Sequence, residues 1–186
     1  MMSYRVLLAL VVGVFLTVGV EQDPLAQSAP ENDEANAEAG AAVGARLVSN
    51  GWNLGCAPGG GAGELFCEAS QTIVIAETRQ TLLIVFVTPW TQADASDPFV
   101  LRFQLPHGLN LPEGVQILID DTPAQSPVIQ TSAQAGVYAR IGLGDQLLES
   151  LRKGASMNVS FTAMNGNLLT VPVTLDGFSA IFAKLQ

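Results

Sequence analysis

The chain has 186 residues, of which 48% are apolar and 13% charged, enough for one domain with a sizeable core and some extra chain at the N-terminus. Eight Lys and Arg against 17 Asp and Glu give a formal charge of −9, which argues against a nucleic-acid partner, because reading phosphates requires a concentrated basic face. An anionic membrane surface repels the same sign.

Residues 1–28 read as a secretory signal peptide. Arg5 supplies a positive start, Val6 to Val20 is an apolar or small-residue run, and Ala26-Gln27-Ser28 offers small residues before a cut at Ala29. As a helix that run reaches about 22 Å against roughly 30 Å for the hydrocarbon core, so no stable span is expected after cleavage. Retention as an uncleaved anchor is the alternative. Residues 29–45 carry Glu31, Asp33, Glu34 and Glu38 among Ala and Gly and read as a disordered acidic linker. The remaining residues 46–186 form a single β-rich domain with 11 acids against 7 bases, a net charge of −4.

Arg46 to Cys56 predicts a first strand that delivers Trp52 and Leu54 to one side, with Trp52 in the core. Export gives Cys56 and Cys67 a meaning: two cysteines this close, in an oxidising compartment, are expected to be bonded. Pro58 and the glycines Gly59, Gly60, Gly61 and Gly63 lack the Lys-Ser/Thr ending of a phosphate loop and read as a hairpin tip. One His and two Cys are too few for a zinc site.

Strands follow at Thr72 to Glu77 and Thr81 to Thr88, the second apolar on both faces and therefore central or covered. Pro89 to Asp97 is a loop whose carboxylates do not match a calcium-binding spacing. From Phe99 to Leu105 apolar and polar residues alternate, with Phe99, Leu101, Phe103 and Leu105 on one side and Val100, Arg102 and Gln104 on the other. After the breaks at Pro106-His107-Gly108 and Pro112-Glu113-Gly114 the alternation resumes at Val115, Ile117 and Ile119, which predicts a hairpin. Asp120-Asp121-Thr122-Pro123 is a turn, Pro127 to Gln130 is extended, and Val137, Ala139 and Ile141 alternate as a further strand.

Gly144-Asp145 opens a small helix with Asp145 as N-cap, Leu147, Leu148 and Leu151 on one face, and Arg152-Lys153 at its carbonyl end. Two strands remain, Met157 to Ala163 and Leu169 to Leu175, joined by Asn165-Gly166. Pro172 removes an amide from the last of these and marks an edge. Phe178, Ile181, Phe182 and Leu185 switch to helical spacing and predict a short closing helix near the C-terminus. The sum is a mainly β, sandwich-like fold of about eight or nine short strands and two small helices.

Five features in order resemble the invasion-associated locus B family of exported Gram-negative proteins. They are Trp52 ahead of Cys56, Cys67 followed by Gln71, the segment LPHGLNLPEGVQILIDD, the Gly144 to Gly154 helix, and the closing VPVTLDGFSAIFAKL. In one respect the chain departs from that pattern. Members often carry a second cysteine pair where this sequence reads Ser132-Ala133-Gln134-Ala135-Gly136-Val137, so both sulfurs are absent, at Ser132 and Val137. The resemblance implies a periplasmic or secreted β-rich protein associated with host-cell entry or envelope function, and it implies no catalytic residue.

The residues themselves support the same class. His107 is the single histidine, in a turn, with no nucleophile frame to pair with it. The expectation is therefore a non-enzymatic module, with no catalytic, cofactor-binding or metal-binding residue and no cofactor, that binds an unidentified envelope or host protein. Trp90 and Tyr138 are the candidate anchors. The alternatives are a periplasmic hydrolase using Asp94, Asp97, Asp120 or Asp121, which requires two of them in one cleft with a raised pKa, and a small-ligand carrier, which requires an interior cavity.

Overall fold

A computed structural model describes residues 45–59, 65–90 and 97–186. The expected signal peptide, all of the expected linker but Ala45, the glycines Gly60, Gly61 and Gly63, and Asp94 lie outside these residues. Among them are eleven strands: β1 (Leu47–Ser49), β2 (Asn53–Pro58), β3 (Leu65–Ile75), β4 (Thr81–Pro89), β5 (Phe99–Leu105), β6 (Val115–Ile119), β7 (Thr122–Pro123), β8 (Val128–Ala133), β9 (Gly136–Gly142), β10 (Ser156–Thr162) and β11 (Leu168–Thr174). Two α-helices, α1 (Asp145–Lys153) and α2 (Phe178–Phe182), complete the chain.

The strands form two antiparallel sheets. The larger has the order β1-β3-β4-β5-β9-β8, with β2 also paired to β3, and the smaller has the order β11-β10-β6-β7. The period of two sends Leu101, Phe103 and Leu105 from the larger sheet and Ile117, Val159 and Phe161 from the smaller into one buried core, which makes the fold a β-sandwich. As Pro172 predicts, β11 lies at an edge. The doubly apolar β4 lies inside the larger sheet, between β3 and β5.

The central hairpin does not form. Although β5 and β6 are separated only by the Pro106–Gly114 connection, β5 pairs with β4 and β9, whereas β6 pairs with β10 and β7. Each strand has one apolar face, and placing the two in opposite sheets turns both faces toward a common core. The connection is tied to β10 instead, through the Asn110 amide to Thr162 O at 2.8 Å and the Met164 amide to Gly108 O at 2.9 Å.

The expected first strand is also divided. Gly51 adopts φ 71°, and the Asn50 side chain accepts from the Thr72 amide at 2.9 Å, which interrupts the edge along β3 between β1 and β2. Trp52 is turned inward by this kink. Its Nε1 donates to Thr174 O at 2.8 Å, and its ring meets Phe178 edge-on at 5.1 Å. Phe178 stacks on Phe182, which in turn meets Phe99 at 4.8 Å. Helix α2 thereby joins the start of the domain to β5, as its i, i+4 aromatic spacing requires.

At the start of α1, Gly144 is the N-cap and Asp145 the first helical residue, so the capping assignment moves by one position. A Cβ at residue 144 would stand 3.0 Å from Asp97 Oδ1, so the cap position has no room for a larger residue unless Asp97 shifts. From the first turn, Asp145 still complements the helix dipole, with Arg152 and Lys153 at the other end.

Candidate functional site

The outward face of the larger sheet brings together the residues with the most recognition chemistry. Alternation sends Phe86 outward from β4, Arg102 and Gln104 from β5, and Tyr138 and Arg140 from β9. The register then aligns them in two rows. Phe86 lies opposite Arg102 and Arg102 opposite Arg140, while Gln104 lies opposite Tyr138.

Two cations directly opposite each other repel. Here their neighbours offset that cost unequally. The Arg102 guanidinium lies 4.7 Å from the Phe86 ring centroid and reaches Glu68 Oε2 at 3.2 Å. Arg140 lies 4.8 Å from the Trp90 ring centroid, and among the described residues no carboxylate pairs with it.

Trp90 follows the end of β4 and is held there by its amide, which donates to Pro98 O at 2.9 Å. Both Trp90 and Tyr138 are half-buried and lie on this face. Among the described residues the buried Nε1 of Trp90 and Nε of Arg102 have no acceptor. Trp90 and Tyr138 are the candidate anchors legible in the sequence, whereas Phe86, Arg102 and Arg140, which complete the face, are not. The outward phase of Arg102 and Arg140 was readable from alternation, but their juxtaposition depends on the β5–β9 register.

The predicted disulfide is formed. Cys56 and Cys67 are directly opposed on β2 and β3. They staple a two-stranded arm that extends past the sheet, because among the described residues Leu65 to Glu68 pair with β2 alone. Leu65 and Phe66 on this arm are 67% and 42% exposed, so the arm has little core of its own.

The carboxylates meet the hydrolase expectation in position, but Asp120 departs from it in the direction of its pKa. Asp97 and Asp120 line one cleft of about 690 Å³ between α1 and the β6–β7 turn. Asp121 is exposed in that turn, where it and Asp120 have φ of 64° and 45°. The Asp120 carboxylate accepts from the Ser156 amide at 2.9 Å and the Ala155 amide at 3.0 Å, and these backbone bonds hold its pKa below the ordinary value. A general acid requires the opposite shift. Asp97 lies so close to Gly142 that a Cβ there would come within 2.2 Å of its Oδ2. Among the described residues no three metal-ligating side chains converge.

His107 has a structural contact. Its Nε2 lies 3.3 Å from Gln134 O, and Gln104 Nε2 donates to Ala135 O at 2.9 Å. Both bonds tie the β8–β9 turn to the end of β5. Ser132 and Val137, where the family pattern has its second cysteine pair, face each other in register across this same hairpin. Side-chain hydrogen bonds thus hold a turn that lacks the second bridge.

A family model described as "Invasion associated locus B (IalB) protein" matches residues 52–186. Invasion protein B homologs from Brucella abortus strain 2308 and from Brucella abortus biovar 1 strain 9-941 are each 28% identical over 83 residues. These matches cover 44% of this chain and 48% of each relative, so the chain matches about half the length of these curated relatives. The crystal structure of invasion associated protein b from Bartonella henselae superposes with a TM-score of 0.60 at 21% identity, over 72% of this chain and 89% of that one. That likeness is one of fold.

Proposed function

The chain belongs to the invasion associated locus B family, and from that premise we propose that it is an exported, non-enzymatic protein that binds an envelope or host protein through the outward face of its larger sheet. The observation that carries this reading is the convergence of Trp90, Tyr138, Arg140, Arg102 and Phe86 on one side of the sandwich. Aromatic and Arg side chains are the residue types that anchor protein interfaces. The interior, by contrast, is filled by Phe103, Phe161, Phe178 and Phe182, all fully buried, which supports a packed core over a carrier cavity.

Export to the periplasm or beyond is supported by the N-terminal apolar run, with residues 1–28 as signal and 29–45 as linker, and by the Cys56–Cys67 bond, which persists in oxidising compartments. No helix among the described residues is long and apolar enough to cross a membrane.

The test is cross-linking of the tagged chain in intact cells followed by mass spectrometry, with an unrelated exported domain as control. One envelope or host protein is expected, and its recovery should fall with Trp90→Ala or Tyr138→Ala. Recovery of nothing beyond the control would reject the reading. The Asp97 and Asp120 cleft would then direct effort to hydrolytic substrates.

A further inference from the structure

We infer that the outward face takes an acidic segment of a protein partner, whose carboxylates sit against the Arg102 and Arg140 guanidinium groups beside the Phe86 and Trp90 rings. The inference rests on the partner-binding reading and adds the chemistry of the partner.

The first ground is that, among the described residues, two guanidinium groups share one carboxylate. Among the described residues no carboxylate pairs with Arg140, and Glu68 alone pairs with Arg102. The half-exposed Arg140 guanidinium keeps its donors available to a carboxylate brought by a partner. The second ground is the like-charge pair. With Arg102 directly opposite Arg140, the face carries a repulsion that an anion between the two relieves.

The third ground is residue type. Both cations are Arg, whose planar fork matches a carboxylate in bidentate geometry. Stacking on Phe86 and Trp90 already restrains both guanidinium groups, which lowers the ordering cost of binding. The site is a sheet face without a glycine-rich nest of backbone amides, which disfavours a phosphate ligand. An anionic bilayer is disfavoured by the net charge of −9. A local Arg pair on an acidic protein selects for an acidic segment presented at short range.

The experiment uses the purified chain and a fluorescent octapeptide of alternating Glu and Ser, with the Gln and Ser octapeptide, phosphatidylglycerol vesicles and heparin as comparison probes. The Glu peptide should bind and weaken with added salt. Arg140→Gln and Arg102→Gln should each weaken it roughly tenfold, since a hydrogen bond to a charged group carries about that factor. Arg140→Lys should fall between, and the exposed Lys184→Gln should bind as the parent chain does. Thermal melts establish that each variant is folded.

Equal binding of the Gln peptide, or indifference to both Arg substitutions, overturns the inference. So does Arg140-dependent binding to vesicles or heparin that exceeds binding to the peptide. In cells, a partner lost with Trp90→Ala but retained with both Arg variants overturns the acidic-segment inference and leaves the partner-binding reading standing. Arg-dependent peptide binding with no partner captured supports this chemistry and counts against the broader reading.

Discussion

Replacing Cys56 and Cys67 together by Ser should cost up to about 3 kcal/mol, the loop-closure entropy for a sequence separation of 11. For a domain of this size that corresponds to roughly a 10 °C fall in melting temperature. The structure also states where the loss should appear. Among the described residues β2 pairs with β3 alone and is largely exposed, and Leu65 to Glu68 pair with β2 alone. A two-stranded ribbon without a core is marginal in water. The rest of β3, from Ala69 onward, is paired with β4 and buried on its inner side. Amide hydrogen exchange on the double Ser variant should therefore show lost protection at Asn53–Pro58 with protection retained at Ala69–Ile75. Unchanged melting together with unchanged protection of β2 would refute the argument that the bridge holds the arm.

Phe182→Ala removes the ring that meets Phe99 at 4.8 Å and lies 5.0 Å from the Arg152 guanidinium. Urea titration should show a loss of about 3–5 kcal/mol, and a loss under about 1 kcal/mol would mean that α2 is not integral to the core. Asp120→Asn tests the carboxylate clamp on Ala155 and Ser156. Because the Asp120 pKa is depressed by those amides, its contribution is present above the unfolded value of about 3.9 and is lost as pH falls through the lower folded value. The stability gap between the parent chain and this variant should thus be constant near neutrality and shrink in acid, and a gap independent of pH would count against the clamp. Installing Cys at both Ser132 and Val137 should form a bridge across the β8–β9 hairpin, since the two positions are in register. Closure contributes about 2 kcal/mol, partly offset by about 1 kcal/mol for the buried Val137 side chain, and free thiols persisting after oxidation would show the register to be wrong.

The local features that sequence alone determined are those set by period and by residue chemistry. Strand-forming alternation along Phe99–Leu105, Val115–Ile119 and Leu168–Thr174 follows from which residues avoid water, as does the helical spacing of Phe178 and Phe182. The edge position of β11 follows from Pro172, and the Cys56–Cys67 bond from proximity in the chain. The assignment of β5 and β6 to different sheets was decided by tertiary structure, because alternation specifies that a strand has an apolar face but not which partner covers it. The division of the first strand at Gly51 depends on drawing Trp52 back to Thr174, 122 residues away in sequence. The candidate face was hidden for the same reason. Trp90 and Tyr138 were visible as aromatic residues, but Arg102 meets Arg140 only through the β5–β9 register, and Arg140 reaches Trp90 only across the finished sheet. Such contacts join side chains remote in sequence, and no local propensity encodes them.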